Sequence, residues 1–169
     1  MGKAGVFHVD DRVELINGEI VDMTPIGSRH ASVVARLSRS LTWTVGDAAL
    51  VWTQNPVVLG EASETQPDIA LLRPRSDFYA GAHPRPADVL LLIEVADTSM
   101  RYDREVKIPL YARHSIPEVW LVDLGRASIV AYRDPAESGY QDATRLDNLH
   151  CARLPGLQAI TADLSGCIT

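Results

Sequence analysis

Asp88-Val-Leu-Leu-Leu-Ile-Glu-Val-Ala-Asp97 reads as a strand buried on both faces, and Glu94 is the only charge inside it. An ionised carboxylate cannot be buried cheaply, so this position calls for a metal, a cation or a raised pKa. Two nearby stretches can answer it. Pro67-Asp68 opens the preceding apolar run, Asp68-Ile-Ala-Leu-Leu72, and Lys107 follows on an expected helix that also carries Asp103 and Tyr111. Alternate strand residues share a face, which groups Asp68 with Ala70 and Leu72, and Glu94 with Leu90, Leu92 and Ala96. If the two strands run antiparallel, the start of one lies beside the end of the other, and Asp68 and Glu94 can share a cation. Two carboxylates, the Val95 carbonyl and several waters suit Mg²⁺ or Mn²⁺, hard ions that prefer oxygen. Lys107, one helical turn beyond Asp103, can orient an attacking water or offset charge growing on a phosphate. Metal-dependent phosphodiester hydrolysis is the chemistry this pattern suggests.

Working outward, Arg12-Val-Glu-Leu-Ile16 and Glu19-Ile-Val-Asp-Met23 flank Asn17-Gly18, the signature of a type I′ hairpin. Ser28 is the expected cap of a helix through Val45, with Val34, Leu37 and Leu41 on its apolar stripe and Arg29, Arg36 and Arg39 on a solvated one. His30 lies on the apolar side of the first turn. It is either a hydrogen-bonded core histidine or a water-positioning group beside the acidic pair. Short strands are expected near Leu50–Thr53, Pro56–Leu59 and Asp68–Leu72, and a long Pro-rich connection from Arg73 to Ala87 is expected to border a groove or to move. Tyr102 to His114 reads as a helix kinked by Pro109, which cannot donate to the Glu105 carbonyl. Glu118–Asp123 and Ala127–Tyr132 form a β-pair, with weaker strands near Ala143–Leu146 and Gln158–Thr161. Trp43, Trp52 and Trp120 read as core.

The 169 residues fit one domain, spanning 1–169, and need no disulfide staple. Cys151 and Cys167 lack metal or redox spacing and are expected to be free thiols in a reducing compartment. With no apolar run near the roughly 20 residues of a membrane span and no leader pattern, a cytoplasmic protein without a membrane partner is expected. The net charge of -6 argues against a broad, sequence-independent nucleic-acid footprint. A DNA-facing groove would therefore have to gather arginines locally, with Arg73, Arg75, Arg101 and Arg104 as candidates. Only Lys3 and Lys107 among sixteen basic residues are lysine, which hints that position 107 needs a primary amine.

Pro67-Asp68, Leu92-Ile-Glu-Val-Ala-Asp-Thr-Ser99, Tyr102-Asp-Arg-Glu-Val-Lys-Ile-Pro-Leu-Tyr-Ala112 and Ile116-Pro-Glu-Val-Trp-Leu-Val-Asp123, in that order, resemble the Uma-type endonuclease family of the PD-(D/E)xK restriction-endonuclease-like superfamily. Asn17-Gly18-Glu19, Met23-Thr-Pro25 and His30 also fit. The resemblance implies an α/β fold: a central mixed sheet flanked by helices, with the hairpin at its amino-terminal side. It also implies Asp68 and Glu94 as metal ligands and Lys107 as catalytic lysine. Ala96 stands where the superfamily's strand lysine belongs, and Lys107 on the next helix fits the displaced amine. Ser115 stands where glycine is expected at the helix end.

The reading is a divalent-metal-dependent DNA endonuclease with Asp68, Glu94, Lys107 and His30 in its site. It is expected to act as a homodimer, because cutting two strands takes two sites. An inactive nuclease-fold module for oligomerisation or protein binding is the alternative, and an RNA nuclease or other phosphodiesterase is a third possibility.

Overall fold

Asn17 and Gly18 both adopt positive φ, 51° and 85°, so the turn has the backbone that Asn-Gly favours. It joins β1 (Val13–Ile16) to β2 (Glu19–Asp22) in the computed structural model, which describes residues 13–23, 25–157 and 159–168. Arg12, expected in the first strand, lies outside the described residues. Helix α1 (Ser28–Val45) follows, burying Val33, Val34, Leu37, Leu41 and Val45. Gly27 rather than Ser28 is its cap residue, and no side chain caps it. Gly46 ends the helix at φ 48°, a conformation that glycine adopts without steric cost.

Three short strands, β3 (Leu50–Thr53), β4 (Val57–Gly60) and β5 (Ser63–Thr65), lead to β6 (Ile69–Leu72). After a long connection come β7 (Val89–Ala96) and a helical crossover to β8 (Glu118–Asp123), then β9 (Ser128–Ala136) and β10 (Gly139–Arg145). The central sheet has six strands in the order β10-β9-β8-β7-β6-β3. Only β7 and β8 pair in parallel, so the sheet is mixed. The hairpin belongs to a second sheet, ordered β2-β1-β5-β4. A two-stranded ladder, β11 (Ala152–Arg153) with β12 (Thr161–Ala162), closes the chain against α1.

The crossover is a helix with an irregular middle. Between α2 (Met100–Tyr102) and α3 (Ile108–Arg113), residues Asp103–Lys107 form a π-turn in which the Ile108 N–H bonds the Asp103 carbonyl, five residues back. Pro109 has no N–H to give the preceding turn, and the chain answers by widening that turn rather than by a simple kink. Ser115 ends the helix at φ 58°, which explains why glycine is the expected residue there.

Each face of the central sheet has its own core. Ile69, Leu71, Leu91, Ile93, Trp120 and Val122 pack under α1. Ala70, Leu72, Leu92, Ala96, Val119 and Leu121 pack against α3 and the four-stranded sheet. Leu90 departs from the expected alternation. The register shifts where Leu72 faces Val89, so Leu90 turns to the α1 side. The expectation that all three tryptophans are core fails. Trp43 is 81% exposed, being opposite the buried stripe of α1, and only Trp120 of the three tryptophans is fully buried. The Arg73–Ala87 connection is tied down by Tyr79, whose hydroxyl donates to the Arg73 carbonyl while its ring lies under the Arg75 guanidinium. Both cysteines are free.

Candidate active site

Register sets the centre of the site. Strands β6 and β7 pair antiparallel with Ile69 opposite Ile93 and Ala70 opposite Leu92. One further step in the same register sets Asp68 opposite Glu94. Both acids line a cavity of about 520 Å³ at this end of the sheet, together with His30, Val95, Lys107, Asp103 and Glu14. No residue of the Arg73–Ala87 connection lines it. Nor do Arg101 and Arg104, and three of the four arginines expected to form a groove already have partners: Arg73 on the Ala87 carbonyl, Arg75 on Asp77, Arg101 on Glu105.

Asp68 is held from three sides. The Val95 N–H donates to its Oδ2 at 2.8 Å, His30 Nε2 lies 2.9 Å from the same oxygen, and Gln54 Nε2 donates to Oδ1 at 3.3 Å. A carboxylate only accepts, so the proton of that His30 bond sits on Nε2. The bond raises the His30 pKa against the opposing effect of burial. The N–H and C=O of one strand residue face the same side, so Val95 turns its carbonyl toward the Asp68 edge as well.

Glu94 is almost wholly buried, and this drives its pKa from the ordinary 4.5 up to about 8, although the Lys107 ammonium pulls it down. Its Oε1 accepts from the Tyr111 hydroxyl and from Lys107 Nζ at 3.3 Å. Burial alone would strip Lys107 of its proton, but Glu94 and Glu14 outweigh it and hold the amine charged. Asp103, accepting from Ser99, is also pushed upward by burial.

Glu14 is the residue that sequence reasoning passes over. Its Oε1 lies 2.9 Å from Lys107 Nζ and accepts the Gln66 N–H at 2.7 Å. A signal exists: in Val13-Glu-Leu-Ile16, Glu14 shares the buried face with Ile16. Tyr102 is a second omission. Its hydroxyl and His30 Nδ1 are buried, line or adjoin the cavity, and have no hydrogen-bond partner among the described residues.

Several carboxylates around one ammonium leave the cavity short of positive charge, and its oxygen donors are of the type hard divalent ions take. Asp68, Glu94 and the Val95 carbonyl are the oxygens that a partly hydrated ion would use. Among the described residues no three side chains of histidine, cysteine, aspartate or glutamate are grouped as a ready-made cage.

A mixed sheet with acids at the ends of adjoining strands and a lysine on the crossover helix is a restriction-endonuclease-like fold. The chain is similar in structure, with a TM-score of 0.72, to a protein from Anabaena variabilis described as "a putative nuclease belonging to DUF820"; the match covers 99% of this chain and 97% of that one at 15% identity. No curated protein matches the sequence. The chain belongs to the Uma2 family, described as "Putative restriction endonuclease", whose model matches residues 6–165. Among the described residues no helix is long and apolar enough to cross a membrane.

Proposed function

We propose that the protein is a divalent-metal-dependent DNA endonuclease acting at the cavity between Asp68, Glu94 and Lys107. The observation that supports this reading is that Asp68, just before β6, Glu94 on β7 and Lys107 on the crossover helix line one cavity. Asp68, Glu94 and the Val95 carbonyl would hold Mg²⁺ or Mn²⁺. Such an ion, when bound, supplies Lewis acidity toward phosphate oxygen and a more acidic water.

The remaining work falls to the chain's own groups. His30 and the Val95 N–H fix the Asp68 carboxylate so that its rotamer is set before substrate arrives. His30 is also placed to position a water. Lys107 has three N–H donors and can turn one toward phosphate oxygen while keeping a carboxylate partner. Tyr111 fixes Glu94 from below, through Oε1. A homodimer presenting two such cavities would cut both strands of a duplex.

The test is a nicking assay on supercoiled plasmid with Mn²⁺, paired with calorimetric titration of Mn²⁺ and with light scattering for mass. Wild type should nick and bind the ion, while Glu94→Gln and Lys107→Ala should nick poorly. One observation favours a non-catalytic module instead: the Lys107 amine is already engaged by the Glu14 and Glu94 side chains. A monomer that takes up no Mn²⁺ and cuts nothing would put that reading first.

A further inference from the structure

We infer that Glu14, carried by the amino-terminal hairpin, is the positioning residue for Lys107: it keeps the ammonium in the cavity when Glu94 turns to a cation. This rests on the endonuclease reading above and gives one of its groups a partner from a different sheet.

Lys107 stands between two buried carboxylates, nearer to Glu14 at 2.9 Å than to Glu94 at 3.3 Å. Those two carboxylates are not equivalent. Glu94 is on the strand that faces Asp68, and an ion shared with Asp68 would draw on its charge. Glu14 comes from the hairpin strand instead, and the same oxygen that meets Lys107 accepts the Gln66 backbone N–H, which fixes that carboxylate beside the ammonium. Gln66 is anchored in turn, its side chain donating to the Val13 carbonyl at 3.4 Å. Gln66 also stands two residues before Asp68. The contact therefore references the lysine to the backbone segment that carries the first acid, and any shift of that segment moves both.

Without Glu14, an ion at Glu94 would leave a buried ammonium with no carboxylate of its own. A buried cation in that state swings toward water, which removes the donor from the phosphate. The hairpin sheet β2-β1-β5-β4 thus does more than cover the hydrophobic face of α3. It supplies the fixed counter-charge of the site.

The chain has only two lysines, Lys3 and Lys107, so protein labelled with ¹⁵N-lysine gives a directly readable ammonium signal for the buried one. In wild type that signal should be protected from rapid exchange, and it should shift yet persist when Mg²⁺ is added. Collapse of the wild-type signal into rapid exchange on Mg²⁺ addition would overturn the inference without recourse to any variant. In Glu14→Gln the signal should disappear on Mg²⁺ addition, with plasmid-nicking kcat down by about 100-fold and KM within about twofold. Glu14→Asp, which keeps the charge, should recover part of the kcat. A Glu14→Gln protein with a persistent Lys107 signal and wild-type kcat would refute the role. Should neither wild type nor variants nick DNA, the endonuclease reading falls, and the ammonium signal still decides the tether.

Discussion

Ile93 and Glu94 are neighbours on β7, equally removed from water, and they face opposite worlds. Ile93 meets the carbon-only core under α1, made of side chains such as Leu37, Leu41 and Leu71. Glu94 meets a lysine, a tyrosine hydroxyl and the charges of three other acids. The same strand therefore carries unbroken apolar packing on one face and, on the other, apolar packing interrupted by a charged cluster. Burial alone does not say which; the partner across the gap does. Trimming a side chain on the α1 face leaves a void, whereas removing a charge from the other face leaves its partners uncompensated.

The largest effect should divide the faces by activity. Asp68→Asn or Glu94→Gln should cut Mn²⁺-dependent nicking by about a thousandfold, equivalent to ~4 kcal/mol in the barrier, with the circular dichroism spectrum unchanged. Nicking at the wild-type rate by either variant would break the comparison. Next comes the carbon face. Leu91 is fully buried, so Leu91→Ala forfeits the transfer free energy of its side chain and opens a cavity. It should lower the unfolding free energy by about 3 kcal/mol in urea melts and leave Mn²⁺ affinity alone.

Acidity gives the third. The folded state binds the Glu94 proton more tightly than the unfolded chain does, so between pH 4.5 and about 8 folding takes up a proton. Stability from this group is present at the low end of that window and is lost as pH rises through the folded pKa. The metal-free melting temperature should thus carry a falling contribution across the window, absent in Glu94→Gln. Mg²⁺, by binding the ionised form, should raise the melting temperature more at pH 8 than at pH 5. A melting curve equally insensitive to Mg²⁺ at both pH values would mean that the charged face holds no ion.

Two smaller effects lie away from both faces. Ser115 occupies left-handed backbone, so Ser115→Gly should stabilise the fold by about 0.5–1 kcal/mol in the same urea melts. Trp43→Ala should change stability by less than about 0.5 kcal/mol while removing the solvent-exposed component of tryptophan fluorescence, leaving the buried Trp120 emission.

Much of this layout is legible in the sequence, for local reasons. Asn17-Gly18 specifies its turn with little competition, and α1 has a regular apolar stripe ended by Gly46, so its end at Val45 is legible while its cap falls one residue before the expected Ser28. Period-two alternation groups Asp68 with Ala70 and Leu72, and Glu94 with Leu92 and Ala96, while the register of β6 and β7 decides that the two sets share a face. What escapes depends on distant chain. Strand β5, Ser63-Glu-Thr65, has no apolar pattern and exists because β1 and β4 flank it. The shift that turns Leu90 over arises only when β6 and β7 pair. Glu14 looks like one more polar hairpin residue because its reason for being buried, Lys107, lies on the crossover helix. Residue type alone places Trp43 in the core, against the helical phase that puts it outside.

The reach of those contacts has a kinetic side. The parallel pair β7 and β8 and the hairpins beyond it are closed by short or moderate connections, whereas the Gln66–Glu14 bond joins residues 52 apart and the His30–Asp68 contact joins residues 38 apart. Closures of that length cost entropy before they return any interaction energy, so the cavity should be among the later parts of the molecule to form. Resting on polar contacts rather than on packed apolar side chains, it should open before the α1 core in native-state hydrogen exchange, with Gln66 and Val95 amides exchanging ahead of Leu91 and Ile93. A nascent or partly opened chain would then possess its central sheet while lacking an assembled charge cluster. The activity proposed for the cavity would then arrive only with the completed topology.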